Sequence, residues 1–316
     1  MGAISMHAKT KFHGIIPPIP SVLYENGKID ETGMGKLIDF LIESKVDGLF
    51  FNGTGGEFSQ MPINLRRQMA KFGVNYVNGR IPVLIGTGSA STEETIALSL
   101  HAKEIGADGV VIVNPYYWKL SEESLYQHYC QIADAVDLPI LLYNFPTLTG
   151  QDLTPELVYN LAKEYPHIVG IKETVEDIGH TREIILKVKS ERPDFAVFSG
   201  YDDQLLNTLC TGGDGSIPLT ASFAPELSVG IYQAFKAGNY EKAIQLHRKL
   251  TPLLSLYKLD SPFVNVAKET IKLRGIDIST EVLAPLRPLN EEKKQELERL
   301  ATTYLSDFLQ VTNEVE

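Results

Sequence analysis

The sequence has little of several things, and each shortage excludes something. Only two cysteines occur in 316 residues, Cys130 and Cys210, and neither belongs to a C-x-x-C pair. That removes thiolate metal sites, predicts a reducing compartment and reads both cysteines as core residues rather than nucleophiles. Apolar stretches such as residues 81–85 and 109–113 run about five residues where roughly 18 are needed to span a bilayer, so no transmembrane helix is expected. Basic residues are outnumbered, 29 Lys and Arg against 40 Asp and Glu, and the net charge of −11 leaves no electrostatic footprint for nucleic acid or an anionic membrane. The seven histidines form neither an H-E-x-x-H pattern nor any close pair. A catalytic metal is therefore not expected, although a carboxylate Mg²⁺ site stays open. Residues 1–11 lack an apolar h-region, and Met6 stands where myristoylation wants Ser or Thr, which predicts a cytoplasmic protein.

What is present is a repeating pattern. Short apolar, β-branched runs recur at 13–19, 48–52, 82–86, 109–113, 139–143, 168–172, 195–199 and 214–218. Each is nearly continuous in apolar residues, the pattern of a strand buried on both faces in a parallel sheet. Helical segments are expected between them: Met34, Leu37, Ile38, Leu41 and Ile42 make one apolar stripe, and 91–105, 121–135, 154–164, 177–189 and 202–210 fill other gaps. Eight βα units predict a (β/α)8 TIM barrel. A doubly wound sheet would need a glycine-rich first crossover, and residues 14–18 are Gly-Ile-Ile-Pro-Pro. After Phe223 the pattern becomes purely helical, with Leu297, Leu300, Ala301, Tyr304, Leu305 and Phe308 on one face. The expected organisation is an amino-terminal segment over 1–12, a barrel over 13–223 and a C-terminal helical extension over 224–316 packed on it, with 312–316 fraying.

Barrel enzymes place their reacting groups at the carboxyl ends of the strands. Those ends are polar here. Lys172 closes the run Ile168-Val169-Gly170-Ile171, and an ammonium in a barrel mouth is poorly solvated, which lowers its pKa toward a form that attacks ketones. The competing reading is a strand-end lysine that reaches water or pairs with Glu173. Gly53-Thr54-Gly55-Gly56-Glu57 offers unshielded backbone N–H groups beside a hydroxyl, a shape for a carboxylate, or simply a tight βα turn. Tyr143 and Tyr117 place phenols near adjacent strand ends, suited to moving a proton or to plain packing. The glycines at 86–89 lack the third glycine of a dinucleotide fingerprint, so nicotinamide is rejected.

With Gly-Thr-Gly-Gly-Glu, Pro-Tyr-Tyr, Tyr-Asn-Phe-Pro, Gly-Ile-Lys-Glu-Thr and Gly-Tyr-Asp-Asp in this order at the strand ends, the chain resembles the dihydrodipicolinate synthase/N-acetylneuraminate lyase family from about Gly14 to Leu309. Within the family the similarity runs toward the bacterial 2-keto-3-deoxygluconate aldolases, through Ile-Ile-Pro-Pro and Asn-Pro-Tyr-Tyr-Trp-Lys. The resemblance implies a cofactor-free class I aldolase with Lys172 as Schiff-base lysine and Tyr143 as proton shuttle. It implies that Thr54 and Gly55 hold the pyruvate carboxylate, and that Ile217 lines the pocket. Thr174, Gly200, Asp202 and Asp203 match positions that meet sugar hydroxyls. Tyr117 matches the tyrosine that enters a neighbouring subunit's site, implying a homotetramer built as a dimer of dimers.

Two departures bear on substrate. The synthases carry Arg two residues after the Tyr-Asn-x-Pro proline, where this chain has Leu148, and Gly55 replaces a second threonine of the glycine turn. The expected activity is therefore cleavage of a 2-keto-3-deoxy sugar acid, such as 2-keto-3-deoxygluconate, to pyruvate and glyceraldehyde, with small-molecule keto acid and aldehyde substrates as partners. Rivals are dihydrodipicolinate synthase (4-hydroxy-tetrahydrodipicolinate synthase), N-acetylneuraminate lyase, a Schiff-base sugar-acid dehydratase and a non-catalytic keto-acid sensor.

Overall fold

The computed structural model describes residues 12–309. The expectations for the leading segment, apart from Phe12, and for fraying at 312–316 lie outside the described residues. Eight strands occupy the eight apolar runs: β1 Gly14–Ile15, β2 Leu49–Phe51, β3 Val83–Gly86, β4 Gly109–Val113, β5 Ile140–Asn144, β6 Ile168–Glu173, β7 Ala196–Ser199 and β8 Gly215–Ser216. They neighbour one another in the order β1-β8-β7-β6-β5-β4-β3-β2. A parallel bridge from Pro18 to Phe50 of β2 links the two ends of that order. This is the (β/α)8 barrel that the continuous runs predict, and all strand residues except Val169 are buried.

The helices are α1 Glu31–Glu43, α2 Ile63–Val77, α3 Thr92–Glu104, α4 Glu122–Ala135, α5 Pro146–Thr149, α6 Pro155–Glu164, α7 Ile178–Val188 and α8 Leu205–Cys210. The carboxy-terminal helices are α9 Pro225–Lys236, α10 Tyr240–Leu250, α11 Val264–Leu273 and α12 Glu291–Leu305. Their starts follow local chemistry. The Ser91, Ser121, Thr154 and Asp177 side chains each accept from a backbone N–H two or three residues on, at the residues where the periodicity begins. In α3, Glu93 and Glu94 sit in the first turn and Lys103 in the last, which suits the helix dipole.

Two readings change, and one helix, α2, had no counterpart among the expected segments. The run at 13–19 yields only a two-residue strand, because Pro17 and Pro18 have no N–H for a ladder. Helix α2 carries no clear apolar stripe: its buried residues are Arg66, Met69, Ala70, Gly73 and Val77, and Gly73 is required where the Phe51 ring would lie 2.7 Å from a Cβ. Cys130 is buried as expected, but Cys210 is exposed, because it ends a six-residue helix whose inner face is Leu205, Thr208 and Leu209.

By compactness the chain forms two units. One joins the chain through Gly14 to residues 82–217, and its core holds Val110, Ile112, Leu141, Ile171 and Phe198, each at most 1% exposed. The other joins residues 15–81 to the described residues from 218 to 309, with Met34, Leu37, Leu49 and Phe51 inside. Of the stripe expected on the last helix, Leu297, Ala301 and Leu305 are buried.

Candidate active site

In the first unit, β5 and β6 pair with Tyr143 opposite Lys172. Successive strand residues alternate in direction, so the two side chains leave neighbouring strands on the same face. The Lys172 Nζ lies 4.2 Å from the Tyr143 ring centroid, and the residues are 4% and 2% exposed. A lysine nitrogen over a phenol face gains a cation–π attraction that helps place it. Lys172 is thus buried rather than reaching water, and the Glu173 carboxylate is engaged by His180.

Thr174 and Gly200 complete this corner. Thr174, two residues beyond Lys172 and on its side of the strand, is buried, and its hydroxyl has no hydrogen-bond partner among the described residues. A buried unpaired hydroxyl is costly, and it is available to a substrate oxygen. Gly200 follows β7, and a Cβ there would lie 1.9 Å from Thr174 Oγ1 and 3.1 Å from Lys172 Cε, so only glycine leaves room for both. Asp202 is buried in a 3-10 turn, Asp203 beside it is half-buried, and Ile217 just past β8 is fully buried. Tyr143 stacks on Phe145, which meets Tyr201 edge to face. Leu148 on α5 is 58% exposed.

Tyr117 does not join this cluster. It lies four residues past β4, 90% exposed, with φ +86° and its ring edge to face with Trp118. Its loop is nonetheless held: Gln151 accepts from Leu120 N–H at 2.7 Å and donates to Pro115 O at 3.1 Å.

The second unit holds the glycine turn. Thr54, Gly55 and Gly56 form one 3-10 turn after β2, and Glu57 closes it in the left-handed region at φ 62°. A Cβ on Gly55 would lie 2.8 Å from Leu219 Cδ1, so the missing threonine hydroxyl is matched by an apolar neighbour. The Glu57 carboxylate turns inward, where it accepts from buried Lys268 on α11 and from Leu283 N–H at 2.7 Å. Burial pulls the Lys268 pKa down, with Glu57 opposing it.

Residues 11–304 match the dihydrodipicolinate synthetase family. The chain belongs to that family. It is 50% identical over 289 residues to YagE of Escherichia coli K12, provisionally named a 2-dehydro-3-deoxy-D-gluconate aldolase, covering 92% of this chain and 96% of that one. It is 51% identical over 292 residues to YjhH of the same organism, provisionally named a 2-dehydro-3-deoxy-D-pentonate aldolase, covering 92% and 97%. A crystal structure of YagE in complex with pyruvate superposes with a TM-score of 0.92 at 49% identity, covering 94% of this chain and 99% of that one. This member of the family is a carbon–carbon lyase, and no helix among its described residues is long and apolar enough to cross a membrane.

One part of this lyase was invisible in the sequence. Behind Lys172, Glu173 Oε2 lies 2.6 Å from His180 Nδ1, and Asp152 Oδ2 lies 2.9 Å from His180 Nε2. Burial opposes charge on His180, but the hydrogen bonds with Asp152 and Glu173 outweigh it and push the imidazole up to about 10. Burial raises Glu173, with His180 opposing, while the bonds from His180 and Asn144 outweigh burial and hold Asp152 below its usual range. A histidine raised on folding stabilises fully below its unfolded pKa, about 6.5, and that contribution disappears as pH climbs through the folded value. Urea unfolding of wild type and His180→Gln should therefore differ most near pH 6 and converge toward pH 10. A gap that stays constant over this range would mean that His180 is neutral in the fold.

Proposed function

We propose that this lyase cleaves a 2-keto-3-deoxy sugar acid, 2-keto-3-deoxygluconate in the first instance, to pyruvate and glyceraldehyde, and runs the reverse addition. The observation that carries the reading is the buried Lys172 amine over the Tyr143 ring at paired strand ends. Lys172 attacks the keto carbon, water leaves, and an iminium forms. Tyr143 assists removal of the proton from the distal hydroxyl as the C3–C4 bond breaks, and the iminium takes the electron pair as an enamine. Protonation and hydrolysis return pyruvate and the free amine. No cofactor enters this sequence. In the other unit, Thr54 and Gly55 hold a carboxylate with the turn's N–H groups. Ile217 supplies an apolar wall, and Thr174, Gly200, Asp202 and Asp203 meet the hydroxyls. The exposed Tyr117 suits insertion into a neighbouring subunit of a homotetramer working in the cytoplasm.

Removing the Tyr143 hydroxyl should harm bond cleavage more than iminium formation. Tyr143→Phe is expected to lose about 10²-fold in kcat while still being trapped with pyruvate and borohydride, since general acid–base groups contribute that range. Near-normal turnover in this variant would reduce Tyr143 to packing.

Substrate choice follows from Leu148 and from Asp202 with Asp203. A second substrate carboxylate wants a bidentate cation, which Leu148 cannot supply, and two aspartates repel it. Polyol hydroxyls instead donate to such carboxylates without adding charge, and a hydrogen bond to a charged group contributes about 1.5–3 kcal/mol. In a coupled assay of pyruvate release and consumption, kcat/KM for 2-keto-3-deoxygluconate should exceed that for aspartate semialdehyde with pyruvate by at least about tenfold, or roughly 1.4 kcal/mol. Asp202→Ala should weaken the sugar acid and spare pyruvate adduct formation. Equal or better use of aspartate semialdehyde would favour the synthase reading.

A further inference from the structure

Tyr143 and Lys172 form one register pair, and the next pair along the same strands is Asn144 with Glu173. Alternation sends this second pair to the opposite face of the sheet. There the two are joined by a closed circuit of side chains: Asn144 Nδ2 donates to Asp152 Oδ1 at 2.6 Å, Asp152 Oδ2 meets His180 Nε2 at 2.9 Å, and His180 Nδ1 meets Glu173 Oε2 at 2.6 Å. A backbone bond closes it on the strand side, because Thr174 N–H donates to Asn144 O, and Gly200 N–H after β7 donates to Glu173 O from the next strand. Asn144 Oδ1 also accepts from Leu153 N–H, which fixes the segment that carries Asp152. The Glu173 side chain is fully buried, that of His180 17% exposed and that of Asp152 40% exposed, so the circuit runs from behind Lys172 outward to solvent.

We propose that Glu173, His180 and Asp152 are positioning residues: a clamp on the outer face of β5 and β6 that fixes where Tyr143 and Lys172 stand on the inner face. The physical reason is that Lys172 is covalently adjacent to Glu173 at one end of the clamp, and Tyr143 to Asn144, whose side chain is tied to Asp152 at the other. Any slip between the two strand ends moves the amine relative to the phenol, and a displacement of about 1 Å in such a pair costs on the order of 10²-fold in rate. His180 holds the Glu173 carboxylate at Oε2, while Oε1 has no hydrogen-bond partner among the described residues.

The inference rests on Lys172 being the nucleophile, so its test includes a check of that reading. The rate of borohydride-trapped adduct formation at saturating pyruvate is measured, with kcat and KM for the sugar acid, in wild type, His180→Leu, Glu173→Gln and Asp152→Ala. Asp152→Ala changes a half-exposed residue and guards against loss of folding in the buried variants. Lys189→Met serves as the control: Lys189 caps the far end of the helix that carries His180, and it pairs with Asp214 at 2.6 Å. His180→Leu and Glu173→Gln are expected to slow trapping and kcat by about ten- to a hundredfold with KM within about threefold, and Asp152→Ala to follow in the same direction. The His180→Leu/Glu173→Gln double variant should be no slower than the slower single, because both break one circuit. Lys189→Met should trap at the wild-type rate. If the clamp variants lose stability yet trap and turn over like the control, the clamp is refuted. If wild type itself yields no adduct on Lys172, the nucleophile reading falls, and the clamp falls with it.

Discussion

Lys172→Met is expected to lower kcat by at least about 10³-fold and to abolish trapping by pyruvate and borohydride, because no other group in the corner can form an imine. The other buried lysine among the described residues, Lys268, is held by Glu57 and by Glu281 O at 2.6 Å, so it cannot substitute. Methionine keeps much of the volume and loses only the amine, so the fold should survive. The checks are a coupled pyruvate assay and the mass of the borohydride-treated protein. A Lys172→Met enzyme that retains a tenth of wild-type turnover would remove the Schiff base from the mechanism.

The second large effect concerns stability. Lys268 and Glu57 are both fully buried, and removing one partner strands the other's charge. Lys268→Met should cost about 3–5 kcal/mol in urea unfolding, the range for breaking a buried pair from one side. Glu57 would then keep the Leu283 N–H, which is too little for a carboxylate without solvent. Replacing both partners, as Lys268→Met with Glu57→Leu, should recover part of the loss, since an apolar pair demands no desolvation of charge. Because Glu57 closes the turn that carries Thr54 and Gly55, the single variant should also weaken keto-acid binding on the proposal that this turn holds the substrate carboxylate. A loss below about 1 kcal/mol would place the pair in the class of surface ion pairs.

Some of this was legible in the sequence for clear physical reasons. Strands buried on both faces must be continuously apolar, so β2 to β7 stand within a residue or two of their runs, and Ser91, Ser121, Thr154 and Asp177 mark helix starts with their own side chains. Lys172 stood out because it ends an apolar run. Helix α2 did not, since glycine and arginine occupy its inner face. The clamp was illegible for a different reason. Asp152 and His180 are 28 residues apart and Glu57 and Lys268 are 211 apart, and only the closed fold selects these partners from the many carboxylates available. Reading Glu173 as a possible partner of Lys172 failed on alternation, which turns adjacent strand residues to opposite faces.

The central claim combines a residue with a bond cleavage, and one measurement reaches both. Wild-type protein is incubated with 2-keto-3-deoxygluconate alone, reduced with borohydride, digested and mapped by mass spectrometry. The account predicts a reduced three-carbon pyruvyl group on Lys172, which requires both imine formation at that amine and loss of the aldehyde half. An adduct on another lysine, an adduct retaining only the uncleaved six-carbon chain, or no adduct under conditions where pyruvate is released would contradict it.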